Sequence, residues 1–237
     1  LVFLGEPSST GVSQTVRFTA DADQNGVGAF SMDRDQAIVA SDLNVSISGA
    51  SVTVGDVLTG SVEGAGGDIT LRSSAGILTL GLLDTSSESA AGGRITLEAT
   101  GGDISADTLL TLSAGTFDGG VVFIRGDGAV NVDTILTNSV GGQGGAVNVS
   151  AETALNISGI DTAALGGGNS GAITLDGGSV SFDSINSQSQ SGTGGAIAIN
   201  AVGDVTVGDL EFGSVSPSDS EIEQPGVTIN TPGNVDL

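Results

Sequence analysis

The chain has 237 residues, with 40 glycines, no cysteine, no histidine and a formal net charge of −23. Its five basic residues are all arginine, so disulfides, thiolate or histidine zinc sites, lysine phosphate loops and Schiff-base chemistry are excluded. Paired carboxylates remain as the main catalytic device. The negative charge argues against nucleic acid as a partner, and no apolar run is long enough to predict direct membrane insertion.

Residues 1–41 contain three short apolar runs that predict strands without a clear period. The runs are LVFLG (1–5), TVRFTA (15–20) and GAFSMD (28–33). We expect this segment to form irregular coils or a cap over the end of a larger structure. An uncapped end would leave an open sheet edge that recruits another chain.

A calcium-loop pattern lies between the second and third runs, in DADQNG (21–26). The side chains that would supply oxygen ligands to calcium are Asp21, Asp23 and Asn25. The twelfth position of such a loop is Met32 rather than Glu, so a bidentate ligand would come from Asp33 or Asp35. The alternative interpretation is an Asx-rich turn that binds no metal.

From about residue 42 the chain repeats a glycine corner followed by a short run of alternating apolar residues. The copies are GGDITL (66–71), GGRITL (92–97), GGVVFI (119–124), GGAVNV (144–149), SGAITL (170–175) and GGAIAI (194–199). A second alternating run has the same period of about 25 residues, and its copies begin at residues 52, 78, 104, 130, 155, 180 and 205. These corners are not phosphate loops, because no lysine serves them and each leads into a strand-like run.

The pattern extends beyond these units in both directions. Leu43 and Val45 lie 26 residues before Ile69 and Leu71, and we expect them to occupy the same columns. After an insertion at 216–226, VTI (227–229) and VDL (235–237) restart both runs. We therefore expect the regular repeats to occupy residues 42–237 and to be truncated in mid-repeat, as in a piece of a longer protein.

Alternation with a period of two predicts strands with one buried face. One unit of about 25 residues buries too little apolar surface to fold alone, so stability must come from stacking of successive units. Parallel strands about 4.8 Å apart would align the apolar residues as internal ladders. The sequence therefore predicts an all-β parallel β-helix solenoid, with about 25–26 residues per coil and roughly 7–8 coils.

Units of the form G-G-x-φ-x-φ followed by φ-x-φ-x-x-φ resemble the repeat region of filamentous haemagglutinin-like adhesins, the exoproteins of two-partner secretion. They are also similar to large acidic surface β-helix proteins of cyanobacteria and other Gram-negative bacteria. The resemblance covers roughly residues 40–237. It implies a right-handed coil, an extracellular or outer cell-surface location in a Gram-negative bacterium, and a structural or adhesive role in a stalk or filament. The partners it implies are other copies or further repeats, end to end or laterally, and a host or neighbouring-cell surface or polysaccharide.

A row of carboxylates suggests two alternative functions. Asp107, Asp133 and Asp183 occupy the same place in their repeats, with Ser158 between them, so neighbouring members would lie about 5 Å apart. Such a row could bind a divalent cation or act as the acid pair of a polysaccharide-degrading enzyme. The simplest alternative is a solvated outer face.

The aromatic content argues against a carbohydrate enzyme. The chain has seven Phe and no Trp or Tyr, and Phe123 and Phe182 are predicted to lie on the apolar face, in the core. Outward threonines could bind ice if they formed a flat array, but the predicted outward residues are mixed: Thr70, Thr96, Asn148, Thr174 and Ala198. We expect a structural or adhesive protein without catalytic residues, and keep the enzyme and a calcium-dependent surface assembly module as alternatives.

Overall fold

The computed structural model describes residues 14–23, 25–79, 81–215 and 226–236, and all of its regular elements are strands. The first seven are β1 (Thr15–Thr19), β2 (Ala29–Ser31), β3 (Ala37–Val39), β4 (Asn44–Val54), β5 (Asp56–Leu58), β6 (Ile69–Thr79) and β7 (Leu82–Asp84). The next six are β8 (Ile95–Ala99), β9 (Ile104–Leu110), β10 (Val122–Gly126), β11 (Val130–Leu136), β12 (Val147–Ala151) and β13 (Ala154–Asp161). The last six are β14 (Ile173–Gly177), β15 (Ser179–Ser189), β16 (Ile197–Ala201), β17 (Val205–Ser214), β18 (Val227–Asn230) and β19 (Val235–Asp236).

The strands form one parallel sheet that winds as a β-helix, as predicted. The strands that follow the glycine corners stack in the order β4, β6, β8, β10, β12, β14, β16 and β18, and each pairs in parallel with the next. With β1 paired to β4, the solenoid makes about eight turns. In the described residues, no helix is long and apolar enough to cross a membrane.

The N-terminal segment contributes strands to the same stack. β1 and β2 pair in parallel with β4, and β3 pairs with β5. The rings of Phe18 and Phe30, from β1 and β2, contact each other with centroids 5.4 Å apart. The predicted strand at LVFLG lies outside the described residues.

The core consists of columns of apolar side chains, each column taking one residue per coil. The first apolar column of the corner strands contains Val45, Ile69, Ile95, Val122, Val147, Ile173 and Ile197, all almost completely buried. A second contains Val52, Ile77, Ile104, Val130, Leu155, Val180 and Val205. Burial of each such side chain stabilises the fold by about 1.5–3 kcal/mol. A single coil has no neighbouring coil against which to bury these side chains.

Two predicted alignments of the columns were wrong. Val45 and Ile47, rather than Leu43 and Val45, pair with Ile69 and Leu71, because the first regular coil is two residues shorter than the predicted period. The copy of the second run that was predicted to begin at residue 78 is also displaced by one residue. Ile77 pairs with Ile104, whereas Leu83, later in the same coil, pairs with Leu109. One extra residue between Ile77 and Leu83 accounts for this shift.

The core assignment was correct for Phe182 and wrong for Phe123. Phe182 is 2% exposed, whereas Phe123 is 37% exposed and points outward between the buried side chains of Val122 and Ile124. In VVFI every residue is apolar, so alternation alone does not reveal which residues face inward. Pairing of Val122 with Ile95 and Val147 decides the orientation.

The paired glycines are required by the close approach of neighbouring coils. A Cβ atom on Gly145 would overlap the carbonyl oxygen of Gly120 in the preceding coil, and one on Gly144 would overlap the carbonyl oxygen of Thr162 in the next. Neither glycine has a positive φ. Absence of a side chain, rather than a left-handed backbone, is therefore what this corner needs.

In five coils a buried threonine forms hydrogen bonds with the glycine corner. In one coil, the Thr137 hydroxyl donates a hydrogen bond of 2.6 Å to the Gly145 carbonyl, and the Gly145 N–H donates one of 2.7 Å to the Thr137 carbonyl. The same pair of bonds recurs at Thr59, Thr85, Thr111 and Thr162. These threonines are fully buried, so each hydroxyl needs the partner that the corner supplies.

A serine column links each coil to the one before it. Ser61, Ser87, Ser113, Ser139 and Ser189 are buried and lie in one bridged row, with Ala164 in the remaining coil. The Ser139 hydroxyl donates to the Phe117 carbonyl one coil earlier at 2.6 Å and accepts the Gly142 N–H of its own coil at 2.8 Å. Polar side chains thereby satisfy backbone groups at corners where the strand ladder is interrupted.

Gly145→Ala should lower the free energy of unfolding by at least about 1–3 kcal/mol, because the added methyl group forces two backbones apart. The matched control is Gly167→Ala, where a Cβ meets nothing within 4 Å and the φ is not positive. This control should leave stability unchanged or raise it by up to about 1 kcal/mol. Denaturant unfolding measures both, and equal effects would contradict the close-approach explanation.

Thr137→Val should cost about 1–3 kcal/mol, because the isosteric side chain leaves the buried Gly145 carbonyl without the hydroxyl donor. Thr174→Val, on an outward strand position, is the control and should change stability by less than about 0.5 kcal/mol. The two variants are compared by thermal unfolding. A Thr137→Val protein as stable as the control would show that the hydrogen bond from the Thr137 hydroxyl contributes nothing to stability.

Candidate functional site

An open groove on the outer face of β9, β11, β13 and β15 is lined mainly by polar side chains. The groove has a volume of about 370 Å³, and its polar lining consists of Ser105, Asp107, Asn131, Asp133, Asn156, Ser158, Ser181 and Asp183. These residues alternate with buried ones along each strand. The outward-facing residues of each strand therefore line the groove, while the inward-facing residues form the core.

The predicted carboxylate row is present in the groove. Val132 pairs with Ala106 and with Ile157, which places Asp133 in one column with Asp107 and Ser158. Asp183 follows in the next coil, beside Phe182, which pairs with Ile157. The carboxylate column is thus interrupted once, by a hydroxyl.

Arg34 neutralises one end of this row. Its guanidinium Nη2 lies 3.1 Å from Oδ2 of Asp107, and both side chains are substantially exposed. An exposed ion pair contributes about 0–1 kcal/mol, so its main consequence is local charge rather than stability. Within the described residues Asp133 and Asp183 have no ion-pair or hydrogen-bond partner, and these two carboxylates carry the groove's uncompensated charge.

A second ladder runs beside the carboxylates. The Asn156 side-chain amide donates a 2.8 Å hydrogen bond to Oδ1 of Asn131 in the preceding coil. Ser105 and Ser181 continue the same column on either side. The groove therefore presents hydroxyl, amide and carboxylate groups repeated at the strand spacing of about 4.8 Å.

The spacing limits what acid–base chemistry this groove can perform. Asp107 and Asp133, one coil apart, approach the separation of about 5–5.5 Å found in retaining glycosidases, but one oxygen of Asp107 is bonded to Arg34. Asp133 and Asp183 are two coils apart, a backbone spacing of about 9.6 Å, which lies at the upper limit of the roughly 6.5–9.5 Å between the carboxyl groups of inverting enzymes. The arrangement suits multivalent binding of a polar ligand better than paired-acid catalysis.

Many other acidic side chains are structural acceptors between coils. Oδ1 of Asp68 accepts the backbone N–H of Arg94 at 2.8 Å, and Oδ1 of Asp118 accepts that of Gln143 at 2.8 Å. Further bonds of this kind are made by Asp56, Asp103 and Asp204. Part of the acidic composition therefore serves the stacking of coils, since a carboxylate accepts backbone N–H groups strongly.

The predicted calcium ligands lie in a turn that is closed by its own side chains. The Asp21 carboxylate accepts the backbone N–H groups of Asn25 and Gly26, each at 3.1 Å, while the Asn25 amide donates to Asp23 at 2.7 Å. This turn borders an open groove of about 700 Å³ that also includes Arg72 and Glu98.

The described residues include no group of three or more Asp or Glu side chains placed to hold a metal ion. Asp33 and Asp35 therefore do not complete a carboxylate cluster with Asp21 and Asp23. The bonds within the turn are those of the Asx-turn alternative. Calcium binding through Asp21, Asp23 and Asn25 stays a prediction.

The outward residues of the corner strands form the mixed column that was predicted, with Phe123 added to it. The column contains Thr70, Thr96, Phe123, Asn148, Thr174 and Ala198. Because an aromatic, an amide and a methyl group interrupt the threonines, no flat hydroxyl array is present along this described column.

Comparison with protein-family models, with curated proteins and with solved structures found no match to this chain. The residues that line the groove are therefore interpreted from their geometry alone.

Some site contacts were accessible from the sequence and others were not. Asn131 with Asn156, and Arg72 with Glu98, are separated by one period and could have been paired from the repeat. Arg34 and Asp107 are 73 residues apart, and Arg34 belongs to a segment without a clear period. No pattern in the sequence indicates that contact.

Calcium binding at residues 21–26 predicts that saturating calcium raises the melting temperature by about 5 °C or more relative to chelator. Asp21→Asn should abolish the difference, because it removes a charged ligand. Glu152→Gln, at an exposed carboxylate outside both this turn and the groove, is the control and should keep the difference. If the unmodified chain melts at the same temperature with calcium and with chelator, the calcium prediction is wrong and the segment is a metal-free turn.

Proposed function

We propose that this chain is a structural segment of a secreted or cell-surface fibrous protein, in which it extends a stalk or filament and presents a repetitive adhesive surface. The observation that supports this most is the continuity of the core columns through about eight turns, with the threonine–glycine hydrogen bonds repeated in five of them. Stability in such a stack is a sum of neighbour contacts, so coils can be added to change length without redesigning the fold.

The outer surface fits an adhesive rather than a catalytic role. The polar groups of the groove are spread along the axis at one set per coil, which favours a long ligand such as a polysaccharide or a neighbouring cell surface. The net charge of −23 disfavours nucleic acid and anionic lipid as partners. The proposed location is extracellular or on the outer surface of a Gram-negative bacterium, following the resemblance of the repeats.

A polysaccharide-processing enzyme is the second candidate. The observation in its favour is the alignment of Asp107, Asp133 and Asp183 along one groove. The Arg34 contact and the two-coil separation of the other two carboxylates weaken it. The two candidates differ in whether the function of the protein requires the coil that contains Asp133.

Deletion of residues 121–145 tests both candidates. It joins Gly120 to Ala146 and removes one complete coil in register, because Val122 and Val147 occupy the same column. The structural role predicts a folded protein whose maximum dimension in small-angle scattering falls by about 4.8 Å. An enzymatic role predicts that any polysaccharide cleavage by the unmodified chain disappears with Asp133.

The matched control is deletion of residues 127–138, about half a coil, which misaligns every later column and should prevent cooperative folding. Failure of the in-register deletion to fold would overturn the modular structural role. Cleavage of a polysaccharide by the unmodified chain that is lost in the folded deletion variant would favour the enzyme instead.

A further inference from the structure

A row of exposed residues follows the serine column along one corner of the solenoid. Each of them comes directly after a member of that column. From the second coil onward, the backbone N–H of the row residue donates to the column member one coil earlier, as Val140 does to Ser113 and Leu165 to Ser139. At about 4.8 Å per coil, the row is about 29 Å long. We call it the corner row, and its described members are Val62, Glu88, Ala114, Val140, Leu165, Gln190 and Val215.

Exposed apolar side chains are concentrated at the corner row. Ten large apolar side chains are exposed in the described part of the chain, and five of them, each at least half exposed, lie in the row or beside it. These five are Val62, Val140, Leu165 and Val215 in the row and Phe117 beside it. Clustered exposed apolar side chains mark an interaction surface, whereas single ones need no explanation.

The same surface is poor in charge. The chain contains 28 acidic residues, yet the corners at 140–144, 165–170 and 190–194 contain no charged residue. Depletion of charge is the compositional mark of the centre of a protein–protein interface. A partner for this surface therefore need not be basic, and a second copy of this acidic chain can meet it without facing a carboxylate at these corners.

The order of residues in the corner row matches itself when the row is reversed about Val140. Reversal brings Ala114 opposite Leu165, a small side chain opposite a large one, and brings Val62 opposite Val215. Val140 lies opposite the same residue of the other copy. A second copy laid antiparallel along the row, about a two-fold axis at Val140, would therefore put every apolar member of the row against an apolar partner.

The acidic side chains at this surface then lie opposite amides. The same reversal brings Glu88 opposite Gln190 within the row. Asp118 and Asn169 share a neighbouring column, one coil before and one coil after Gln143, and reversal brings these two side chains together as well. An amide N–H donates to a carboxylate, whereas a parallel in-register dimer would place Glu88 against Glu88 of the other copy.

Phe117 lies opposite a gap in the same arrangement. Phe117, Gly142 and Gly168 share one column, since a Cβ on either glycine would overlap the carbonyl oxygen of the column member one coil earlier. Reversal places Phe117 opposite Gly168, which has no side chain. The adjacent Gly167 is also open, because a Cβ there meets nothing within 4 Å. The aromatic ring of one copy can therefore pack on the glycine corner of the other, which adds a large apolar contact.

We propose that two copies of this chain associate side by side and antiparallel through the corner row, about a two-fold axis at Val140. The contact is isologous, so each pair of facing residues occurs twice in the dimer. The inference goes beyond the proposed function, because the corner row includes no residue that lines the groove.

Val140→Asp tests the contact at its centre. Because of the two-fold axis, this change places two carboxylates against each other, and facing like charges disfavour association. The matched control is Val202→Asp, which adds the same charge at another exposed valine outside the row. Since both valines are exposed, circular dichroism and melting temperature should show both variants folded.

Sedimentation equilibrium compares the variants from about 1 µM to 1 mM, a range that spans the dissociation constants of small interfaces. The salt is about 0.15 M, where a Debye length of about 8 Å limits the repulsion between acidic chains. The unmodified chain and Val202→Asp should dimerise with Kd values within about twofold of each other, and Val140→Asp should dimerise at least about tenfold more weakly.

Introduced cysteines test the orientation, since the chain has no cysteine of its own. A disulfide requires Cα atoms within about 7 Å, so mild oxidation reports only residues that face each other directly. Val140→Cys should form a disulfide-linked dimer, and Ala114→Cys should do so only when it is mixed with Leu165→Cys. Val202→Cys, outside the row, controls for random collision and should stay unlinked.

Monomers throughout this concentration range would overturn the proposal, as would equal dimerisation of the Val140→Asp and Val202→Asp variants. A parallel dimer, in which Ala114→Cys links to itself, would overturn the two-fold arrangement. None of these outcomes bears on folding of the chain that lacks residues 121–145, so a folded deletion variant would leave the structural role standing without the dimer.

Discussion

Two backbones can stack at a strand spacing of about 4.8 Å around a sharp corner only where no side chain intervenes. The glycine pairs meet this constraint, since a Cβ on Gly66, Gly67, Gly119 or Gly120 would overlap a carbonyl of a neighbouring coil. The exception at the first glycine position is Ser170, whose hydroxyl donates to the Ser187 carbonyl of the next coil. The corner therefore allows neighbouring coils to keep the strand spacing, on which the core columns depend.

The polar chemistry of the molecule follows from the same geometry. Corners interrupt the strand ladder, and the backbone groups exposed there are satisfied by buried threonines, by the serine column and by carboxylates such as Asp68 and Asp118. Acidic residues therefore serve two roles, as acceptors between coils and as the charged outer surface. A fold of this kind spreads its polar groups along an axis and gathers few of them at one point.

The repeat in the sequence was sufficient to predict the parallel solenoid, its period and the alignment of Asp107, Asp133, Ser158 and Asp183. It was insufficient wherever a coil departs from the mean length. The first regular coil is short and the next has an extra residue near β7, so the columns at Val45 and Ile77 were misaligned. Phe123 was assigned to the core because four consecutive apolar residues hide the alternation. Arg34 was not connected to Asp107 because periodicity carries no information about a non-repeating segment.

The sequence by itself determined the kind of fold this chain forms, because units of alternating apolar residues that recur at one period bury their apolar faces when they stack as parallel coils. Only the tertiary structure decided the register of individual coils. A coil can gain or lose a residue at a corner by a local change of backbone conformation, and the repeat in the sequence does not show where this happens. It also decided which polar residues face each other across coils, including the pairing of Arg34 with Asp107 and the closed turn at Asp21.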